Sequence, residues 1–356
     1  MPVTWLRVGG GLAVFALISI VGLGALGGLE FDEALDTFTL VMVVAIPAGI
    51  VVYALIEYAQ TRRIDSITRQ FDTRTLVLMP VAMALNIVLG TAVASALKIP
   101  IYLDSIGTIL VAALAGPLAG AATGFLSNVI WTYLAPPPFG SPFAVPFAVV
   151  AVVVGLLAGT FARWGWLRPR RGSSGRQLAV GGTLSIGAVV IMVALALRAW
   201  LAAADGSSLA PDTDETAFLI LGWVAMALVV GTAVGLVVLL VRRRDLAAAY
   251  ILAAGVITGV VAAFIAAPIA AGLFGGVTGS GADFVIAAFR QAGADLQQAV
   301  LGQSLISDPV DKVITYFLVY LILGAMATRT KARFPQGQYL LPLIDDEDDE
   351  TAAPAP

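Results

Sequence analysis

The chain has 356 residues, 59% hydrophobic and only 12% charged, where soluble domains run near 25% charged; this is the composition of a polytopic α-helical membrane protein. It contains no cysteine and no histidine, which excludes disulfides, thiol chemistry, zinc–thiolate and HExxH metal sites, His-based proton relays and a phosphoaccepting histidine. The net charge of −3 carries little information, because six acids sit in the single run 345–350, and no GxxxxGK[ST] loop is present to cradle nucleotide phosphates.

About 20 apolar residues cross the hydrocarbon core. The first such run, roughly 8–28, follows Arg7 and has no A-x-A-like site before the acidic stretch Glu30-Phe-Asp-Glu-Ala-Leu-Asp36, so it reads as a retained helix rather than a cleaved signal. With a second run at 38–58 it makes a two-helix membrane extension, residues 1–73. A third run covers 75–97. Then comes the most informative stretch, Tyr102 to Tyr133, which is apolar throughout yet carries Asp104 and Asn128 toward its two ends and Gly116-Pro117 at its centre. It predicts two half-length helices meeting at the Gly-Pro break, a device by which membrane proteins build ligand cavities. A carboxylate left in lipid costs about 2.5–3.5 kcal/mol on insertion scales, which makes Asp104 a functional candidate. The competing assignment is an interfacial cap on a helix starting at Ser105.

Residues 135–141, Ala-Pro-Pro-Pro-Phe-Gly-Ser, predict a stiff loop before a span at 142–162. Spans at 178–202 and 217–241 form an inserted hairpin within 167–247; it is expected at the periphery, without ligand contacts, with Arg198 snorkelling to the interface. A span at 248–274 leads into a long segment, 275–309, that opens with a Gly-rich run. Apolar residues at helical spacing from Phe284 to Gln303 predict a helix lying over the outer mouth. The last span is placed at 310–328; one alternative reading makes Asp308 and Asp311 no more than the cap and first turn of that helix, with Pro309 at its first position. Adjacent positions do not share a helix face, so Asp311 and Lys312 are not paired in this reading. Residues 335–356 are expected to be an acidic, solvated tail.

Basic residues orient the set. Arg62, Arg63, Arg69 and Arg74, then Arg163 to Arg176, Arg242 to Arg244, and Arg329 to Arg333 all fall on one face if 102–133 contributes an even number of crossings or one re-entrant hairpin. Both termini are then cytoplasmic, and the chain has about ten helices.

The segment Pro100-Ile-Tyr-Leu-Asp-Ser-Ile-Gly-Thr108, followed by Ala115-Gly-Pro-Leu-Ala-Gly120 and Gly124-Phe-Leu-Ser-Asn128, resembles the substrate-binding S components of energy-coupling factor (ECF) transporters. Ser307-Asp-Pro-Val-Asp-Lys312 resembles the opening of their last helix. The resemblance covers about half of the chain and implies a six-helix core, matched by 75–97, 104–115, 117–134, 142–162, 248–274 and 310–328; the first four helices lie in 74–166 and the last two in 248–334. It implies capture of a vitamin or related micronutrient from outside, with no catalytic residues, no cofactor and no nucleic acid. The implied partners are a transmembrane coupling subunit and two cytoplasmic ATPases. Carried onto this chain, the family's pocket falls on Tyr102, Asp104, Asn128, Trp131, Tyr133, Thr278, Asp283, Asp308, Asp311 and Lys312. Trp131 and Tyr133 read equally as members of an interfacial aromatic belt. The family's docking line of small residues falls on Ala92 and Ala96, or on Gly90 and Ala94, which could instead pack inside this chain. Two other readings stand beside it: a membrane sensor input that signals through a partner, and a stand-alone secondary transporter.

Overall fold

A computed structural model describes residues 2–24, 31–96, 101–137, 139–170, 175–204 and 215–342. The described residues are all helical, with thirteen α-helices. Five stretches are long and apolar enough to cross a bilayer, Asp36–Thr61, Thr73–Val93, Val145–Arg163, Arg176–Arg198 and Ala247–Phe274, which makes this a multi-pass membrane protein. Shorter apolar helices, Leu6–Gly22, Ile106–Ala115 and Met226–Val241, accompany them.

Helices α1 (Pro2–Leu23) and α2 (Phe31–Thr61) form an antiparallel pair, and a short α3 (Asp65–Thr68) leads into α4 (Thr73–Gly90). Asp72 starts α4 by accepting from the backbone N–H of Thr75 at 2.8 Å, the expected job of an N-cap carboxylate. The last turn of α4 continues as a π-helical turn, Thr91–Ala96. Next come α5 (Ile106–Ala115) and α6 (Pro117–Tyr133), which meet at Gly116. Every residue of α5 is buried, as its uniformly apolar sequence requires. Gly116 has φ +134°, a conformation closed to side-chain-bearing residues, and Pro117 occupies the first helical position of α6, where its missing N–H is no loss. With glycine at the N-cap, α6 has no local cap. Gln70, from the connection after α3, takes that role: its Oε1 accepts from Leu118 N–H at 2.8 Å and Ala119 N–H at 3.4 Å.

Helix α7 (Ala148–Arg163) packs against the α5–α6 hairpin. Helices α8 (Gly175–Ala204) and α9 (Glu215–Val241) form the inserted pair, which leans on α10 (Ala247–Phe274) and α12 (Leu296–Ala325); α11 (Ala282–Gln291) packs against α12 and α8. The α10–α12 contact is the most extensive among the described residues. A Cβ at Gly255 would meet the backbone of Val313, and one at Gly259 would meet the backbone of Pro309 and Asp308. Small residues four apart let two helix backbones touch in this way.

Three expectations are corrected here. The last helix starts at Leu296, not at Pro309. Asp295 opens it with a capping box in which Gln298 N–H donates at 2.8 Å, and the helix runs on through Pro309. The alternative reading of Asp308 and Asp311 as the cap and first turn of the last helix therefore falls. Residues 335–342 are not a free tail either. The chain turns back through α13 (Thr328–Lys331) and a 3-10 turn at Gly337–Leu340, Gln336 N–H donates to Leu114 O at 2.8 Å, and Leu340 is 1% exposed. The acidic run 345–350 lies outside the described residues.

The segments bearing basic clusters come together at one end. Arg74 donates to Arg333 O at 2.9 Å, Arg168 to Tyr339 O at 3.3 Å, and Arg170 N–H to Asp245 at 2.8 Å. The loop segments 101–105, 139–147 and 275–281 share the opposite end, joined by the Phe143–Phe274 ring contact at 5.3 Å and by Asp311 accepting from Tyr102 N–H.

Candidate functional site

A cavity of about 920 Å³, including its open mouth, lies at the end opposite the basic clusters. Its walls come from α6, α7, α10, α11 and α12 and from the loops at 101–105, 141–147 and 278–282. It forms because α5 is 10 residues long while α6 is 17, so the loop entering α5 is recessed beneath the end of α6.

The recessed loop is held by Asp311. This residue is 0% exposed, and its Oδ1 accepts from the backbone N–H groups of Tyr102 at 3.0 Å and Leu103 at 2.8 Å. Leu103 has φ +51°, left-handed backbone that costs an L residue about 1–2 kcal/mol. The two charge-assisted bonds stabilise that turn. Asp311 Oδ2 in turn accepts from Lys312 Nζ at 2.6 Å. Adjacent positions do pair here, contrary to the helix-face expectation, because both side chains turn toward the same loop. Lys312 Nζ also donates to Ser105 Oγ at 3.0 Å and lies 3.6 Å from Asp104 Oδ1. A buried ion pair of this kind is tolerated only when further hydrogen bonds satisfy its remaining groups, which Ser105 and the loop amides do.

Asp104 does not cap α5. Ser105 occupies that position, and the Asp104 carboxylate, 30% exposed, accepts from Ser105 Oγ at 2.8 Å while facing the cavity. Tyr102, Asn128, Trp131, Thr278, Asp308 and Lys312 line the same cavity. Asn128 donates to Gly124 O at 2.9 Å, and Trp131 Nε1 donates to Phe139 O at 2.7 Å, which draws the Pro-rich loop over the rim. Three expected residues fall outside the lining. Tyr133 is 59% exposed, Asp311 stands behind the loop, and Asp283 closes a turn by accepting from Thr278 N–H at 3.0 Å and Gly279 N–H at 2.8 Å.

Of the small residues expected to face a partner, Gly90 is turned inward: a Cβ there would run into the Trp131 ring. Ala92 is half-buried, and the side chains of Ala94 and Ala96 lie outside those described.

Several lining residues were not foreseen. Gln303 and Ser304 project from the first half of α12, Ser280 from the 278–282 turn, and Phe143 and Phe147 from the segment after α6. Gln303 is 2% exposed, and its Nε2 has no hydrogen-bond partner. The capping box at Asp295 and Gln298 was the available signal that α12 begins early enough to carry them. Phe143 and Phe147 are backed by α2, whose Phe38, Met42 and Ile46 pack with Ile269 and Phe274 of α10. The N-terminal pair thus supports a cavity wall. Nothing in the described part of α8 or α9 lines the cavity, and Arg198 is exposed.

Behind the hairpin, Asn86 of α4 is 1% exposed and fully used: its Nδ2 donates to Thr108 Oγ1 at 2.9 Å and Ser127 Oγ at 3.1 Å, and its Oδ1 accepts from Gly107 N–H at 2.7 Å. It pins α4, α5 and α6 together. No group of three acidic, His or Cys side chains among the described residues could hold a metal ion. No family model matches the chain, and neither a curated protein nor a solved structure matches it.

Proposed function

We propose that the protein is the substrate-specific membrane subunit of an ECF-type importer, which captures a vitamin or related micronutrient from outside and passes it to a shared ATP-driven coupling module. The observation that carries this reading is the cavity itself, which has a few fixed polar groups set among aromatic and small apolar walls at the end away from the basic clusters. In this reading the protein sits in the cell membrane, the basic end and both termini are cytoplasmic, and the cavity opens outward. The loops at 101–105 and 278–282 border the entrance, and the exposed apolar face of α4, with Leu76, Val77 and Val81, meets lipid or the coupling subunit.

The test is affinity purification from its native membrane. Recovery with a transmembrane coupling subunit and two ATPases, together with small-molecule binding that needs no ATP, is the expected result. Recovery with a kinase or transcription regulator would replace this reading with a sensor. Uptake by the purified protein alone in proteoliposomes, driven by an ion gradient, would replace it with a secondary transporter.

A further inference from the structure

The charges around the cavity do not balance. Asp104, Asp308 and Asp311 cluster with a single ammonium, Lys312, which is the only basic residue in the lining among those described. That ammonium donates to Asp311 Oδ2 at 2.6 Å and to Ser105 Oγ at 3.0 Å, and Asp104 Oδ1 lies 3.6 Å away, beyond hydrogen-bond distance. Two of its three donors are thus committed within the protein. Asp308 is in the opposite situation: it is 7% exposed, lines the cavity and accepts no hydrogen bond from any described residue. Lys312 is a counter-charge to Asp308 as well as to Asp311 and Asp104, so three carboxylates share one ammonium and the site as built is short of positive charge. Elsewhere in the lining, the unpartnered Nε2 of Gln303 is a buried donor that asks for an acceptor, while its Oε1 is engaged by Ser304 Oγ at 3.3 Å. The absence of a metal-holding cluster among the described residues makes an organic cation the better fit than an inorganic one. Aromatic faces at Trp131, Phe143 and Phe147 complement the same charge.

We propose that the cavity selects an organic cation with a flat ring and a carbonyl-type acceptor, the positive group resting on Asp308 and the acceptor on Gln303. This names the ligand class for the capture role proposed above and rests on that reading. It differs from the neutral or anionic micronutrient that the aromatic lining alone would equally admit.

Four small probes of matched shape test it, with binding to the purified wild-type protein in detergent followed by calorimetry. They are N-methylnicotinamidium, nicotinamide, nicotinate and N-methylpyridinium. The expected order places N-methylnicotinamidium first, tighter than neutral nicotinamide by roughly 10- to 150-fold, the range of a charge-assisted contact, with nicotinate last. N-methylpyridinium, which lacks the carbonyl, should bind about 2- to 12-fold more weakly than N-methylnicotinamidium. Asp308→Asn should remove most of the preference for cation over neutral ring. Gln303→Met, which keeps volume but loses the donor, should erase the difference between the two cations. The wild-type ranking decides the matter even where a variant does not fold. Tighter binding of nicotinate or nicotinamide, or no binding by either cation, overturns the proposal. Either result leaves the importer reading standing, because that reading depends on the co-purified ATPases; a cation preference in a protein that recovers no ATPase has the reverse meaning.

Discussion

The carboxylate of Asp311 accepts a hydrogen bond from the backbone N–H of Leu103 at 2.8 Å, although 208 residues separate the two. One oxygen holds the loop and the other holds Lys312, so both sides of the group act only as acceptors. Asparagine has one acceptor and one donor and can serve only one of them. Asp311→Asn should therefore destabilise the protein by about 3–5 kcal/mol, the cost of leaving one partner of a buried pair alone. Thermal unfolding in detergent measures this, and hydrogen exchange at Tyr102 and Leu103 should accelerate. Unchanged exchange at those amides would mean that Asp311 does not hold the loop.

Asp104 should matter less than Asp308. Its carboxylate is partly exposed and stands at 3.6 Å from an ammonium that has a closer partner. Solvent screening holds such a pair to about 0–1 kcal/mol. Asp104→Asn is expected to change stability within that range and to weaken binding of N-methylnicotinamidium by no more than about 5-fold. Asp308→Asn should exceed it clearly. A larger loss at Asp104 would reverse the two roles.

Asn86→Leu keeps the volume of the α4–α5–α6 junction but removes all three of its hydrogen bonds. The Gly107 N–H then stays buried with no side-chain acceptor. Each buried group so stranded costs about 1–3 kcal/mol. The two hydroxyls recover part of this, because Ser127 also donates to Thr123 O at 2.8 Å. A fall in unfolding free energy of about 2–4 kcal/mol is expected, read as a lowered melting temperature. A variant as stable as wild type would show that the junction is held by packing alone.

Gly259→Val places a branched side chain where the backbone of Asp308 and Pro309 runs. Backbone cannot move aside as a flexible side chain can, so α12 must shift away from α10. The expected outcome is loss of cation binding together with lowered stability, whereas Gly272→Val, at a glycine with open space beside it, should leave both near wild type. Intact binding in Gly259→Val would remove the α10–α12 contact from the account of how Asp308 is positioned.

The hairpin was legible because its signals are local. Gly116-Pro117 marks a break followed by a helix start, because glycine tolerates the irregular backbone and Pro117 suits a first helical position. The partners of the polar residues were not. Asp104 drew attention as the charge at the end of the apolar stretch, yet the loop is tied down by Asp311, and the capping of α6 comes from Gln70 in a stretch that reads as a plain connector. Asn86 is one polar residue in an apolar helix, and its three partners lie on two other helices. Lipid is as apolar as a protein interior, so hydrophobic periodicity does not say which face of a membrane helix turns inward. The same blindness hid the packing of α2 behind Phe143 and Phe147 and left Gly90 on a surface that the structure turns toward Trp131. The early start of α12 was encoded in Asp295 and Gln298, but a Gly-rich approach and the Pro309 ring pointed to a break farther along.

The shortness of α5 bears on what any passage through the protein must overcome. Ten residues of helix measure about 15 Å, roughly half of a hydrocarbon core about 30 Å thick. A solute resting against Asp308 lies near the Ser105 end of that helix, and the Gly116 end is sealed by Gln70 and by the Leu114–Gln336 contact. The floor beneath the solute is therefore a buried half-helix, and the contact that closes it belongs to the turn at 336–340.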